Sequence, residues 1–303
     1  MSGRSLVVGA VQCALGGPRD TNIARVEKGV REAAARGAKV VLPPELFEGP
    51  YFCREENAKW FAEARAQGDD EGLARMRGLA RELGVVIPVS FFEKAGQAYY
   101  NSCAVVDADG EVLGVYRKSH IPDGPGYEEK FYFRHGDSGF RVWKTRHGVL
   151  GVGICWDQWF PETARVMALM GAELLLFPTA IGTEPPPAVP VNSRDHWQRT
   201  QQGHAAANLT PLMAANRYGL ERSLQDPQGL YVRFYGSSFI ADSMGAKVAE
   251  AAEEGDAVLS HTFDLEAIRQ LRDNWFVFRD RRPDLYGVLA SLDGAAPAGR
   301  VRP

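Results

Sequence analysis

Several absences narrow the field before any motif is considered. No stretch approaches the roughly 20 uninterrupted apolar residues that a bilayer-spanning helix needs. Cysteine is scarce: Cys13, Cys53, Cys103 and Cys155 lie far apart in 303 residues, with no Cys-x-x-Cys pair. That spacing suits neither a disulfide framework nor a zinc site, and at least three of the four are expected as plain buried thiols. Charge of one sign is also missing. Lys and Arg number 35 against 38 Asp and Glu, a formal net charge of −3, so neither nucleic acid nor an anionic membrane is an expected partner. The glycines at 148, 151 and 153 do not fall in the G-x-G-x-x-G order, and no Walker pattern occurs, which leaves a nucleotide-binding module weakly supported. The start, MSGRSLVVGAVQCALGG, shows one Arg and a short apolar run without a small-residue cleavage region. It reads as a first strand, and the default location is cytoplasmic.

What is present is an ordinary globular composition, 45% apolar and 24% charged, on a chain long enough for a substantial core. It also repeats itself. RGAKVVLPPEL (36–46) resembles MGAELLLFPTA (170–180), and each follows a helix-like stretch, NIARVEKGVREAAA (22–35) and PETARVMALM (161–170). Each helix follows a probable strand, SLVVGAVQC (5–13) and HGVLGVGIC (147–155). Further on, GVVIPVSFFE (84–93) parallels TPLMAANRYG (210–219), and two hairpin patterns match, NSCAVVDADGEVLGVYRK (101–118) and GSSFIADSMGAKVAEAAEE (236–254). Apolar runs such as VVL and LLLF suit strands buried on both faces. Two α/β halves, each with a bare sheet face, are expected to pack sheet on sheet as a four-layer α-β-β-α sandwich. No Pro/Gly/Ser-rich linker separates the halves near 136–148, so one domain over 1–290 is expected, followed by a tail at 291–303.

Three ionisable residues stand where apolar runs stop: Glu45 after VVLPP, Lys118 after EVLGVYR, and Cys155 after GVLGVGI. Functional groups in α/β folds collect beyond strand C-termini. A thiol needs a base, and a buried carboxylate can serve; a lysine beside it can stabilise an oxyanion. The N–H of Trp156, just after the thiol, is a natural second donor. The plainer alternative is an ion pair beside a core cysteine, and physics alone leaves the two readings level.

These motifs carry a resemblance. PPELF around Glu45, YRKSHIP around Lys118 and GVGICWDQWFPE around Cys155 resemble, in order and spacing, the nitrilase superfamily of carbon–nitrogen hydrolases, over about residues 5–290. The resemblance implies an α-β-β-α sandwich, a Glu-Lys-Cys triad of Glu45, Lys118 and Cys155, and no metal or organic cofactor. It implies a second glutamate between the lysine and the cysteine, which in IPDGPGYEEKFYF (121–133) is Glu129, with Glu128 as the rival. Its implied role is to orient Lys118 and the attacking water. Within the superfamily the chain most resembles the N-carbamoylputrescine amidohydrolases, on PPELFEGPYFC (43–53), KSHIPDGPGYEEKFYF (118–133), PTAIGTEPP (178–186), SRDHWQRTQQGHAAAN (193–208) and ANRYG (215–219). That implies cleavage of a terminal ureido group to ammonia, carbon dioxide and a diamine, in polyamine synthesis from agmatine.

A cationic substrate wants acids and aromatic faces. Glu48, Tyr51, Asp123 and Glu184 are the expected substrate-binding residues, with Phe52 and Trp156 beside them. Asp123 in PDGPG has the alternative of a turn former, and Glu184, before three prolines, that of an exposed charge. Arg54 and Arg194 are close enough in sequence to leave a carboxylated substrate open. Rival readings are a Cys-His hydrolase using His120, with His204 as a structural group; another ureide or ω-amide hydrolase; and a catalytically inactive scaffold. The resemblance also implies a homo-oligomer, with residues 159–170 and 291–303 as candidate contacts.

Overall fold

The computed structural model describes residues 3–183, 193–225 and 231–295. Its first half runs β1 (Ser5–Gln12), α1 (Arg19–Ala35), β2 (Val40–Leu42), α2 (Glu71–Leu83), β3 (Ile87–Ala95), β4 (Ala98–Val106) and β5 (Val112–Arg117). A one-turn helix α3 (Glu129–Tyr132) and a short strand β6 (Val142–Lys144) lead to the second half. There follow β7 (Val149–Val152), α4 (Pro161–Leu169), β8 (Leu174–Pro178), α5 (Ser193–Asn208) and β9 (Leu212–Ala215). The chain ends with β10 (Tyr218–Arg222), β11 (Tyr231–Tyr235), β12 (Phe239–Ala241), β13 (Lys247–Glu250), β14 (Ala257–Asp264) and α6 (Leu265–Trp275).

The repeat is realised as two sheets of the same design. One has the order β13-β12-β9-β8-β7-β6. In the other, β14-β1-β2 continues into β3-β4-β5 through a parallel bridge between Val40 and Val86, where the Val86 N–H donates to the Lys39 carbonyl at 2.9 Å. Each sheet has a parallel centre, an antiparallel edge strand on one side (β14 or β6), and a hairpin on the other (β4-β5 or β12-β13). The edge strand β14 comes from the end of the chain. It pairs with β1 along its whole length, Ser5 against Asp264 to Gln12 against Ala257, so the second half closes the sheet of the first. The stretch 210–219, which parallels 84–93 in sequence, contains β9 and then leads into the β10-β11 hairpin. That hairpin is an insertion between β9 and β12 without a counterpart in the first half.

Side-chain alternation fixes the layers. Val40 and Leu42 of β2 and Leu174 and Leu176 of β8 face one shared core between the sheets, together with Val8, Val105, Val152 and Met213. Val41 faces the other way, onto α1 and α2 residues such as Ile23, Val26 and Met76. Leu175 and Phe177 pack against α4 and α5 through Met167, Trp197 and Ala205. The order is therefore helix, sheet, sheet, helix, as the sequence pattern predicted. The glycine spacing before Cys155 has a packing cause. A Cβ at Gly151 would sit 2.9 Å from the Met167 Cβ, and one at Gly153 would sit 2.7 Å from the Phe177 ring. Glycine lets α4 and β8 close onto β7. Among the described residues no helix is long and apolar enough to cross a membrane.

Candidate active site

Glu45, Lys118, Cys155 and Glu129 come from both halves and meet beyond the ends of β2, β5 and β7 and at the start of α3. The carboxylates and the ammonium are fully buried. Lys118 Nζ bridges the two acids, donating to Glu45 Oε1 at 3.0 Å and to Glu129 Oε2 at 2.7 Å. Asn101 Nδ2 donates to the same Glu45 Oε1 at 2.7 Å, and Tyr51 OH donates to Glu129 Oε1 at 2.7 Å. Glu45 Oε2 is buried without a hydrogen-bond partner among the described residues. One lone-pair-bearing oxygen of an otherwise engaged carboxylate is thus left free.

Burial alone would push the Lys118 pKa down, but Glu129 and Glu45 together hold it well above the usual lysine value. Lysine is therefore a fixed cation here. Burial raises the Glu129 pKa, against the pull of Lys118. Burial also pushes the Cys155 thiol up, helped by the Glu45 charge and opposed by Lys118. The resting thiol is therefore protonated, and any nucleophilic role requires a proton acceptor. Cys155 sits at φ +41° at the start of a 3-10 turn over Cys155–Trp159, its Sγ 3.8 Å from the Ala180 carbonyl. A positive φ is uncommon outside glycine and persists only where the surroundings over-determine it.

Those surroundings are specific. Asp157 is buried and accepts from Tyr116 OH at 2.8 Å, the Ile154 N–H at 2.9 Å and the His120 N–H at 3.0 Å. It also meets His120 Nδ1 at 2.7 Å. One carboxylate thus ties the cysteine turn to the loop that follows Lys118. On the other side, Leu46, next to Glu45, also has a positive φ of 45°. The buried Arg217 donates through Nη2 to the Glu45 and Leu46 carbonyls, each at 2.8 Å. Its Nη1 reaches Glu221 Oε1 at 3.0 Å, while Glu221 Oε2 accepts from the Tyr51 N–H at 2.6 Å. Arg217 and Glu221 therefore fix the backbone under both Glu45 and Tyr51.

The remaining expected residues separate. Tyr51 is fully buried and spends its hydroxyl on Glu129, so it belongs with the central cluster rather than an open rim. Glu48 lies elsewhere: it faces a distinct cavity and pairs with Arg19, because the turn at Leu46 sends alternate residues of this loop to opposite sides. Asp123 is half exposed, 3.7 Å from Lys130. Glu184 lies outside the described residues. Trp156 exposes its ring, and its N–H precedes the first hydrogen bond of the turn, Asp157 N–H to the Ile154 carbonyl. Glu129, not Glu128, reaches Lys118; Glu128 stays half-buried, its pKa raised by burial and then by Glu56 and Asp123. Of the histidines, His120 is engaged by Asp157 and stacked on Phe160 at 3.6 Å, and His204 Nε2 meets the Gln158 carbonyl at 2.8 Å. Sequence reasoning did not single out Asn101, Asp157, Arg217 or Glu221. The only signals were the fragments CWD and ANRYG, whose polar residues follow apolar strand ends.

The misplaced Glu48 has its own titration. Burial, and then Asp70 beside it, push its pKa from 4.5 up to about 8, while Arg19 pulls it down. Between those two values the folded protein holds a proton that the unfolded chain has released. This contribution to stability is therefore full below 4.5 and is lost as the pH rises through about 8. Glu129, raised by its own burial, acts in the same direction. Thermal midpoints measured from about pH 5 to about pH 8.5 should fall. In Glu48→Gln the fall should be visibly shallower, and equal slopes in the two proteins would remove Glu48 as a source.

Comparison with known proteins agrees with this geometry. The family model described as carbon-nitrogen hydrolase matches residues 7–273. A curated relative from Arabidopsis thaliana, "N-carbamoylputrescine amidase", is 55% identical over 291 residues, covering 96% of this chain and 97% of the relative. A "Citrullinase" from Francisella tularensis is 50% identical, covering 94% of this chain and 98% of the relative. Among solved structures, a carbon-nitrogen hydrolase from Helicobacter pylori G27 superposes with a TM-score of 0.89 at 39% identity, covering 95% of this chain and 99% of the other.

Proposed function

The chain belongs to the carbon–nitrogen hydrolase family, and from that premise we propose that it hydrolyses the terminal ureido group of N-carbamoylputrescine. The observation that carries the chemistry is the buried cluster in which Lys118 bridges Glu45 and Glu129 beside a protonated Cys155. Glu45 takes the thiol proton through its unpartnered Oε2. The thiolate attacks the ureido carbonyl, and the developing oxyanion is held by Lys118 and the Trp156 N–H. The C–N bond to the terminal nitrogen breaks, and Glu45 returns the proton to the departing ammonia. Water, deprotonated by Glu45 and oriented by Glu129, then cleaves the S-linked carbamoyl intermediate. The released carbamate loses carbon dioxide and leaves the free diamine.

The substrate class is supported by charge. Asp123, Glu56 and Glu128 lie close enough for the first two to raise the third, one residue along from Glu129. The two arginines buried behind the cluster are already engaged. Arg54 donates to the Tyr51 carbonyl at 2.6 Å and the Arg222 carbonyl at 2.7 Å, and Arg217 to Glu221 and backbone carbonyls. A substrate carboxylate needs such a guanidinium in bidentate contact. The second reading is citrulline, which is the same ureide carrying an α-carboxylate; it is favoured by the 50% identity to the Francisella tularensis relative. Ammonia release from both compounds separates the readings. N-carbamoylputrescine should exceed citrulline in kcat/KM by about 100-fold or more. Parity, or preference for citrulline, would keep the chemistry and overturn the substrate. Silence on both, from a folded protein, would sink the proposed activity.

A further inference from the structure

A cavity outside the cluster has a volume of about 500 Å³, well inside the usual range of small-ligand sites. It lies behind the segment 45–52. Glu45 and Tyr51 of that segment serve the central cluster, while Leu46, Glu48, Pro50 and Phe52 line the cavity. None of Lys118, Glu129 and Cys155 lines it.

Its lining joins an apolar body to a negative end. Phe52 stacks on Trp60, with ring centroids 5.8 Å apart. Three acids, Glu48, Glu63 and Asp70, face one cation, Arg19. Arg19 pairs with Glu48 Oε2 and stands 3.7 Å from Asp70 Oδ2. Asp70 is almost wholly buried, its other oxygen capping α2 through the Leu73 N–H at 2.7 Å. Four polar atoms in this lining are buried without a hydrogen-bond partner among the described residues: Glu48 Oε1, Trp60 Nε1, and Arg19 Nε and Nη2, the last still paired by charge with Glu48 Oε2. Buried polar groups without partners are costly, and a lining that leaves several is incomplete as it stands. The Trp60 ring also carries the Lys59 ammonium 5.3 Å from its centroid, so its surface already attracts a cation.

We propose that this cavity is a second binding site, for a small primary alkylamine, whose ammonium would sit at Glu48 and Asp70 and whose methylene chain would lie along Phe52 and Trp60. An ammonium supplies donors for the Glu48 carboxylate once its proton has left, and a second positive charge among three acids. A primary alkylamine is also the chemical class of the reaction product, and in that respect the inference rests on the proposed function. Because one segment walls both the cavity and the cluster, occupancy bears on the backbone that carries Glu45 and Tyr51.

Two effects follow from the placement. Near pH 7 Glu48 is largely protonated, so binding an ammonium there should expel its proton. An amine bound in the cavity does not compete with the ureide, so it should lower kcat rather than raise KM.

The test is calorimetric titration of the full chain with putrescine at pH 7.5, in two buffers of different ionisation enthalpy. Two binding events are expected, one of them releasing close to one proton. Glu48→Gln should weaken that event at least tenfold and leave the other intact. Trp60→Phe, which changes the wall without touching a charge, should weaken the same event and serves should Glu48→Gln fail to fold. In steady-state assays putrescine should show a non-competitive component that both variants lose. Absence of a proton-releasing event, or a proton-releasing event indifferent to both substitutions, would overturn the cavity site. If the ureide is not hydrolysed but the proton-releasing event remains, the proposed function fails and the cavity site stands.

Discussion

Cys155→Ala should lose hydrolysis by at least about four orders of magnitude, while the thermal midpoint stays within a few degrees of the parent. The expectation follows from what the residue does and does not hold. Its thiol makes only weak contacts, to the Ala180 carbonyl and to Thr179, so its removal breaks little structure. Covalent catalysis, in contrast, has no substitute atom at that position. Loss of activity together with loss of fold would be uninformative alone, which is why Glu45→Gln is the companion. The amide keeps the size of the side chain and removes the only proposed proton acceptor for a thiol that burial holds protonated. Its turnover should fall nearly as far. Activity above about a tenth of the parent in Cys155→Ala would mean that the nucleophile is misassigned. The same result in Glu45→Gln would shift the base to a histidine, with His120 first in line. Iodoacetamide gives an independent reading, since Cys13, Cys53 and Cys103 are wholly buried and Cys155 alone keeps some exposure. Labelling at Cys155 should come first, and labelling at random would remove its special standing.

The parts of this site that the sequence disclosed are those that local pattern encodes. Apolar runs that end abruptly in Glu45, Lys118 and Cys155 mark strand ends, and strand ends in packed α/β layers point to a common edge. The internal repeat went further, because two copies of one strand–helix order imply two similar sheets that must share a face. What remained hidden depends on partners far apart in the chain. Arg217 reaches the Glu45 carbonyl across 172 positions and Gln12 reaches Ala252 across 240, and no window of sequence contains both ends. The β14 strand was equally silent: AVLSHTF is only partly buried apart from Phe263, and what pairs with it is β1, at the other end of the chain. Glu48 was misplaced for a conformational reason. Its neighbourhood in PPELFEGPYFC suggests a single acidic rim, but the loop turns at the positive φ of Leu46, and Glu45 and Tyr51 join the buried cluster while Glu48 lines a separate cavity. A backbone reversal at a leucine has no compositional mark, unlike one at glycine.

Arg217 is where those hidden contacts concentrate, and its substitution should have the second large effect. The side chain is fully buried, with its guanidinium 5.4 Å from the Phe234 ring and 5.9 Å from that of Tyr51. It satisfies the Glu45 and Leu46 carbonyls, where the strained turn would otherwise leave them bare, and balances Glu221. Lysine carries the same charge but one compact donor head, and cannot reproduce a fork that addresses two carbonyls and a carboxylate at once. Arg217→Lys should therefore fold and lose about 100-fold in kcat, with KM little changed, because a Glu45 displaced by about an ångström meets the thiol badly. Arg217→Met should be worse for the fold, by up to roughly 3–5 kcal/mol, since it leaves the buried Glu221 with only Arg54, 3.7 Å away, as a charge partner. The double variant Arg217→Met with Glu221→Gln distinguishes charge balance from positioning. Removing both charges should return much of the lost stability and none of the lost kcat, because the carbonyls of Glu45 and Leu46 remain unclamped. Recovery of kcat in the double variant would show that Arg217 only neutralises Glu221. Full activity in Arg217→Lys would show that the two carbonyl contacts do not position Glu45.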